Sequence, residues 1–268
     1  MSRSFLTVLA LAVAELCFAS DPPLDISMLS GSAIRIDGSL SDWQNAIGAP
    51  TLTPVQFYGD ESDGHSEGPY DLQLDVWVAV VQPNQVFFAF ERLDNLFSSD
   101  SYPQRGSSRV WRDGQVEFLV DASRSGQAYA EDVGVQRVVV MPFTEDVPAY
   151  AGAAAEVADA ESIDWVVVTD TLSDGWLRTR AEGRFAVFNG QGGQANLAVG
   201  DTVGFAIVAA DVDTAGVNVQ HQVIIWPGGP VAVELQQDAE GLGRAVIKPR
   251  TATSVVPAGW GATKRAGR

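Results

Sequence analysis

One short stretch of the sequence carries aromatic and polar side chains that could hold a ligand. A strand is predicted over residues 115–121. If this strand is extended backward, alternation puts on one face Trp111, Asp113, Gln115, Glu117 and Asp121. An aromatic ring beside amides and carboxylates suits a sugar, because the ring covers the apolar C–H face while the polar groups bond the hydroxyls. An ordinary amphipathic strand, with Trp111 covering the sheet edge, gives the same pattern.

The same residues do not form recognisable catalytic machinery. Glu117 and Asp121 share a face, but four strand residues separate them by roughly 13 Å at ~3.3 Å per residue. Glycosidases place their two carboxyls about 5–5.5 Å apart for retention and about 6.5–9.5 Å apart for inversion. The two histidines are His65 and His221. The segment Gly64–Gly68 has the G-x-S-x-G spacing, but it belongs to an acidic loop rather than to a strand-to-helix elbow, and no phosphate-binding glycine loop is present. We therefore expect no enzyme, and keep a glycan hydrolase with an unrecognised site as an alternative.

Strands are the elements that would position these side chains. Between Leu72 and Val80 the apolar residues alternate, and Pro83-Asn84 separates them from the apolar run Val86–Phe90, which predicts a hairpin. Further strands are predicted from Val, Ile, Phe and Trp content over residues 33–36, 115–121, 134–141, 163–169, 176–188, 202–210, 221–226 and 231–236. Only Tyr150–Ala160 favours a short helix, because it contains several alanines and Glu156. About ten strands with little helix predict an all-β fold, a two-sheet antiparallel β-sandwich of the jelly-roll type.

The beginning of the sequence has the layout of a secretory signal peptide over residues 1–20. Arg3 precedes the apolar run Phe5–Ala14, and small residues follow near the expected cleavage point. The run is shorter than the ~20 residues that span a bilayer, so we expect export to the periplasm or the extracellular space and no membrane span. The only cysteine, Cys17, would leave with the signal, so the mature chain would have no disulfide or thiolate metal site.

The mature chain is acidic over most of its length and basic at its end, and this charge excludes some classes of binding partner. Residues 241–268 contain six Lys and Arg and no acid, so of the net charge of −17 the first 240 residues carry −23. We expect residues 21–240 to form one β-sandwich domain and residues 241–268 a basic, flexible tail. The acidic field repels nucleic acid and anionic lipid, and it suits neutral ligands or cations such as calcium. Solubility of a secreted protein explains the charge equally well.

Four motifs follow one another along residues 34–226. The first is IDGSLSDW at Ile36–Trp43, and the second is the hairpin, which ends in Arg92-Leu93-Asp94. The third is WRDGQVEFLVD at Trp111–Asp121, and the fourth is VGFAIVAAD at Val203–Asp211, with Trp226 beyond it. In this order they resemble the motifs of the family 9 carbohydrate-binding modules and their relatives.

This resemblance implies a β-sandwich that binds sugar in a cleft at one end, frequently with bound calcium. Members of the family are usually appendages of secreted glycan-degrading enzymes, or lone extracellular domains. The resemblance therefore implies a secreted, non-catalytic carbohydrate-binding protein that is accessory to polysaccharide degradation.

The resemblance also implies a set of site residues. Trp111 looks like the first of the family's two sugar-stacking tryptophans, Glu117 like its glutamate and Arg137 like its arginine. The position of the family's asparagine is Val139 in this sequence. The second tryptophan is expected after Trp226, but an apolar strand is predicted there instead. That half of the aromatic clamp is missing or is built from elsewhere.

The other tryptophans have separate expectations. Trp43 and Trp226 match family positions that look structural, so we expect both in the core. Trp77 is on the outward face of its predicted strand and Trp176 follows the Asp174-Gly175 turn, so either could be a second platform.

Calcium and haem are the two cofactors for which the sequence offers candidate ligands. Calcium is implied by the family and by the charge, with candidate ligands at Asp37, Asp42, Asp211 and Asp213. A haem-binding β-sandwich is the other alternative, and its few candidate axial ligands are Met28, His65, Met141, His221, Lys248 and Lys264. That scarcity argues against haem.

Overall fold

A computed structural model describes residues 22–56, 58–60, 72–95, 114–140, 149–159, 161–211, 222–227 and 239–250. The strands of these residues are β1 (Leu24–Leu29), β2 (Tyr58–Asp60), β3 (Leu72–Val81), β4 (Gln85–Asp94), β5 (Gln115–Asp121), β6 (Val135–Val140), β7 (Ala149–Ala151), β8 (Ile163–Thr171), β9 (Leu177–Ala186), β10 (Thr202–Asp211), β11 (Gln222–Trp226) and β12 (Gly243–Pro249). The helices are α1 (Ser41–Ala46), α2 (Ala154–Val157) and a 3₁₀ turn at Pro54–Gln56. The expectation of an all-β chain is confirmed.

The strands of the described residues form one hydrogen-bonded sheet. Its order is β7-β6-β5-β10-β12-β1-β3-β4-β9-β8, with β11 paired to the end of β10 and β2 paired to β11. Strand β1 runs parallel to both of its neighbours, β12 and β3, while the other pairs are antiparallel. This differs from the predicted pair of separate antiparallel sheets, because β1 and β12 connect the two halves through backbone hydrogen bonds.

The sheet curls until its two halves face each other across a shared core. The rings of Phe88 in β4 and Phe118 in β5 lie 4.5 Å apart, although the two strands are not neighbours in the sheet. Phe185 of β9 lies 6.2 Å from the first ring and 6.3 Å from the second. Alternate residues of β3, β4, β5 and β10 join this core, which places every second side chain of each strand on an outer face.

The start of the predicted flexible tail is wrong. Residues 243–249 form β12, which lies in the middle of the sheet between β10 and β1. Ala245 and Ile247 are fully buried, whereas Arg244 and Lys248 point to solvent. The basic residues are thus the exposed half of an ordinary alternating strand. The strand predicted over residues 33–36 is also wrong, and the first strand of the described residues is β1.

The helix predicted over Tyr150–Ala160 is wrong over most of its length. Tyr150 belongs to β7, and α2 contains only four residues. The buried Tyr150 hydroxyl donates to a backbone carbonyl, with Ser162 O at 3.0 Å and Ala186 O at 2.8 Å, so tertiary contacts override the helix propensity of the alanines. No helix of the described residues is long and apolar enough to cross a membrane.

The motif Ile36–Trp43 forms a loop and helix that cover the outer face of the β3-β4-β9 half. Gly38 has a φ of +84°, and its N–H donates to Glu182 Oε2 at 2.6 Å. Asp42 accepts from the backbone N–H of Arg35 at 2.6 Å, and the Trp43 side chain is fully buried. The glycine, the aspartate and the tryptophan of the motif therefore have structural functions, and the core prediction for Trp43 is confirmed.

Candidate functional site

A cluster of three polar side chains lies on the outer face of the other half. Gln115 and Glu117 alternate along β5, and Arg137 lies on β6 opposite Leu119. Arg137 reaches diagonally to Glu117, donating from Nε to Oε2 at 2.6 Å and from Nη2 to Oε1 at 2.5 Å. Gln115 Nε2 donates to the same Oε1. Three of the predicted ligand-binding residues are therefore brought together.

Within the cluster, Glu117 and Arg137 form an ion pair, and only the arginine is partly exposed to solvent. The Glu117 side chain is 1% exposed, whereas the Arg137 side chain is 17% exposed. Burial alone would lower the pKa of Arg137, but the attraction of the Glu117 carboxylate and its hydrogen bonds outweigh it and raise that pKa. A forked guanidinium–carboxylate pair is also geometrically rigid. The guanidinium is thus charged, fixed in direction and partly open to solvent.

Gln115 supplies a hydrogen-bond acceptor that has no partner. The residue is 1% exposed, its amide nitrogen bonds Glu117, and its Oε1 is buried without a hydrogen bond. Leaving such a group unpaired costs about 1–3 kcal/mol. A ligand O–H donor would recover that free energy if the groups that bury this atom moved aside to admit it.

The neighbours of the cluster on the same face are small and apolar. Across from Gln115 and Glu117 on β10 are Ala210 and Val208, and both belong to a second apolar cluster on this face. Tyr129 belongs to the same apolar cluster and interacts with the Arg137 guanidinium. Polar groups are thus placed beside a water-poor surface, which strengthens their hydrogen bonds.

The remaining ligand-binding predictions stand differently. Trp111 and Asp113 lie outside the described residues. Val139, at the expected asparagine position, is a buried member of β6. Trp77 is 5% exposed and donates from Nε1 to Gly48 O at 3.2 Å, so it is a core residue and no platform. Trp226 is 4% exposed, as predicted for the core, and Trp176 is half-buried.

The three predicted calcium ligands that the structure describes do not form a metal site with one another. The Asp37 carboxylate accepts from Ser39 N at 3.1 Å, and both oxygens of Asp42 accept backbone N–H groups. Asp211 is fully buried and bonded to Arg92, and Asp213 lies outside the described residues. Among the described residues, no group of three acidic, histidine or cysteine side chains could hold a metal ion.

Sequence reasoning missed the function of Arg92. Its side chain is fully buried and donates from Nε and Nη2 to Asp94 Oδ2, at 3.2 and 2.6 Å. It also donates from Nη2 to Asp211 Oδ1 at 3.0 Å and from Nη1 to Ala210 O at 2.8 Å. The spacing of arginine and aspartate two residues apart, on the core side of an apolar strand, was the available signal.

A surface groove of about 390 Å³ lies away from this cluster, between the segments 22–27 and 47–56, with Trp226 in its wall. Two polar side chains of its lining accept backbone hydrogen bonds, Gln56 Oε1 from Thr53 N at 2.9 Å and Thr51 Oγ1 from Val78 N at 3.0 Å. None of the buried unpaired side-chain atoms of the described residues belongs to the lining. We therefore assign the candidate site to Gln115, Glu117 and Arg137.

Comparison with known proteins gives structural relatives only. No family model and no curated protein matches the chain. A family 9 carbohydrate-binding module from Caldicellulosiruptor kristjanssonii in complex with cellotriose is similar, with a TM-score of 0.57 and 16% identity over 88% of this chain and 99% of that one. In complex with glucose, such a module from the same organism gives a TM-score of 0.58 and 14% identity over 86% and 98%. A candidate carbohydrate-binding protein from Bacteroides uniformis gives 0.53 and 10% over 84% and 99%. The chain has the fold of the family 9 carbohydrate-binding modules.

Proposed function

We propose that this protein binds a neutral glycan without transforming it. The observation that carries the proposal is the cluster of Gln115, Glu117 and Arg137, in which the Gln115 Oε1 acceptor is buried and unpaired. It lies on an outer sheet face of a fold that also occurs in modules bound to cellotriose and to glucose.

Each residue of the cluster has a separate task in this proposal. Arg137 donates to sugar hydroxyls from the solvent-facing part of its guanidinium, and Gln115 Oε1 accepts from another hydroxyl. Glu117 contacts both side chains and holds their orientation, so we assign it to positioning. The ring of Trp111 stacks on the sugar and Asp113 bonds a hydroxyl at the edge of the site.

Neutral glycans fit the charges better than acidic ones. The Arg137 guanidinium is already paired by Glu117, so little positive charge remains for a ligand carboxylate. The net charge of −17 also repels acidic polysaccharides over a longer range. We propose export to the periplasm or extracellular space, where such a protein would assist polysaccharide degradation.

An oligosaccharide array and an affinity gel test this function. Residues 21–268 should bind at least one neutral glycan, with a micromolar to millimolar dissociation constant, about −8 to −4 kcal/mol. Trp111→Ala should abolish retardation in the gel, because the stacking ring contributes a large share of the binding free energy of a weak site. Trp176→Ala separates the two predicted platforms, and with Trp111 alone as the platform it should migrate like the parent. If the parent is not retarded by any glycan of the array, the proposal is wrong.

Calcium stays part of the proposal on the strength of the net charge and the family fold. Of the predicted ligands, Asp213 lies outside the described residues, and the melting experiment tests calcium without assuming its ligands. Calcium at ten times its dissociation constant should raise the free energy of unfolding by about 1.4 kcal/mol, because only the native state binds it. Identical melting curves in calcium and in EDTA, at one ionic strength, would remove calcium from the account.

A further inference from the structure

The buried cluster of Arg92, Asp94 and Asp211 connects the two halves of the curled sheet. Arg92 alternates along β4 with Phe88 and Phe90, so its side chain points into the core between the halves. Asp211 ends β10 on the core side in the same way, following Ile207 and Ala209. All three charged side chains are fully buried.

This cluster lies directly behind the candidate site. The carbonyl that Arg92 Nη1 binds belongs to Ala210, which is the cross-strand partner of Gln115. Ala210 and Gln115 point to the outer face, while Arg92 and Asp211 lie on the core face of the same strand end. The guanidinium therefore holds the backbone against which Gln115 is aligned.

Stability alone gives no reason for these charges. Burying a guanidinium and two carboxylates has a desolvation cost that well-packed apolar side chains would avoid. The aromatic core around Phe88 and Phe118 already joins the two halves. What the guanidinium adds is direction: its planar, forked donors contact a carbonyl and two carboxylates in one fixed geometry.

We propose that Arg92 is a positioning residue of the glycan site, fixing the end of β10 so that the Gln115 amide is held in its binding orientation. This inference rests on the proposed function. Arg92 does not contact the ligand; it acts through Ala210 and the β10–β5 pairing.

Arg92→Lys tests the inference, because lysine keeps the charge that balances the cluster but loses the forked geometry. Titration with cellotriose at 20 °C, well below the unfolding transition, should give a dissociation constant roughly tenfold higher than that of the parent. Amide hydrogen exchange should accelerate at residues 115–117 and 208–211. Exchange in β8 and β9 should stay unchanged.

Arg178→Lys is the matched control. Arg178 forms a forked pair with Asp170 on the outer face of β9, in the other half of the sheet, at 2.9 and 2.6 Å. The Arg178→Lys variant undergoes the same arginine-to-lysine change away from the site, and it should bind cellotriose like the parent. The triple variant Arg92→Met, Asp94→Asn, Asp211→Asn removes the three buried charges of the cluster together. It therefore leaves none of these charges without its counter-charge, and its affinity for cellotriose should fall in the same way.

The outcomes separate this inference from the function on which it rests. A parent that binds neither cellotriose nor any other glycan of the array contradicts both, and if another glycan binds, the titrations use that glycan. If the parent binds and either Arg92 variant binds equally well, with unchanged exchange at residues 115–117, Arg92 is a purely structural residue and only the positioning function falls.

Discussion

Each half of the curled sheet has a buried glutamate on its outer face, and the two glutamates have different hydrogen-bond partners. Glu117 on β5 is bonded by the Arg137 guanidinium, which is 17% exposed. Glu182 on β9 is covered by the loop around Gly38 and accepts two backbone N–H groups, from Asp37 at 3.0 Å and Gly38 at 2.6 Å. The first glutamate therefore supports a polar group at the surface, and the second fastens a loop over the sheet.

This difference is the basis for placing the proposed site on the half that contains β5 and β6. Around Glu182 the outer face is closed by α1 and its preceding loop, with Trp43 fully buried against β3 and β4. Around Glu117 the charged partner, Arg137, is 17% exposed. Both halves contain a buried acceptor without a hydrogen bond, Gln115 Oε1 in one and Glu182 Oε1 in the other. The difference is therefore the solvent-facing guanidinium beside the first acceptor.

The largest effect is expected from breaking the Glu117 pair. Arg137→Met should lower the free energy of unfolding by about 3–5 kcal/mol, because it leaves a buried carboxylate without its counter-charge. Glu117→Gln combined with Arg137→Met should recover most of that loss. Urea unfolding of the parent and both variants measures this. If the single variant is as stable as the parent, the pair does not balance a buried charge.

A smaller loss is expected from disturbing the closed half. Gly38→Ala should destabilise the fold by about 1–2 kcal/mol, because φ is +84° and the added Cβ would lie 2.8 Å from Val168 Cγ2. Glycan affinity should be unchanged, since the loop lies on the other half. Weaker binding at 20 °C by this variant, measured by calorimetric titration, would show that the halves are not independent.

The smallest effect is a change in pH dependence at Glu182. Burial raises the pKa of its carboxyl, against the two backbone hydrogen bonds, and the Asp42 and Asp37 carboxylates raise it further. An acid with a raised folded-state pKa contributes stability that is complete below its unfolded pKa and is lost as pH rises through the folded pKa. Glu182→Gln should therefore gain stability relative to the parent as pH rises above about 4.3, on the order of 1 kcal/mol.

Thermal unfolding of the parent and Glu182→Gln at a series of pH values between 4 and 8 measures this slope. Glu156→Gln, at an exposed position of α2, is the control and should follow the parent at every pH. Parallel curves for Glu182→Gln and the parent would show that the buried carboxyl titrates normally.

Local patterns predicted much of the fold and of the site. The β3–β4 hairpin, β5, β9 and β10 follow from alternation and turn residues, and each has close to its expected bounds. The shared face of Gln115 and Glu117 is likewise a property of one strand. Arg137 was identified from a motif resemblance, and the β5–β6 pairing brings it to Glu117.

What could not be predicted depends on contacts between distant parts of the chain. The parallel pairing of β1 with β12 joins residues 24–28 to residues 245–249, and no local pattern specifies such a partner. Asp211 was assigned to calcium from the family resemblance, the net charge and the nearby Asp213, whereas its actual partner, Arg92, is more than a hundred residues away. Buried polar residues are the hardest to assign, since their function is decided by the groups that happen to face them.

Gln115→Met tests whether the Gln115 amide oxygen accepts a hydrogen bond from a sugar hydroxyl. The substitution removes one hydrogen bond to Glu117 but also removes the buried, unpaired Oε1, so the free energy of unfolding should stay within about 1 kcal/mol of the parent. Calorimetric titration of parent and variant with cellotriose at 20 °C should show the affinity falling at least tenfold, about 1.4 kcal/mol. We expect the variant to lose binding and to keep its stability. A Gln115→Met protein that binds the sugar as tightly as the parent would contradict it.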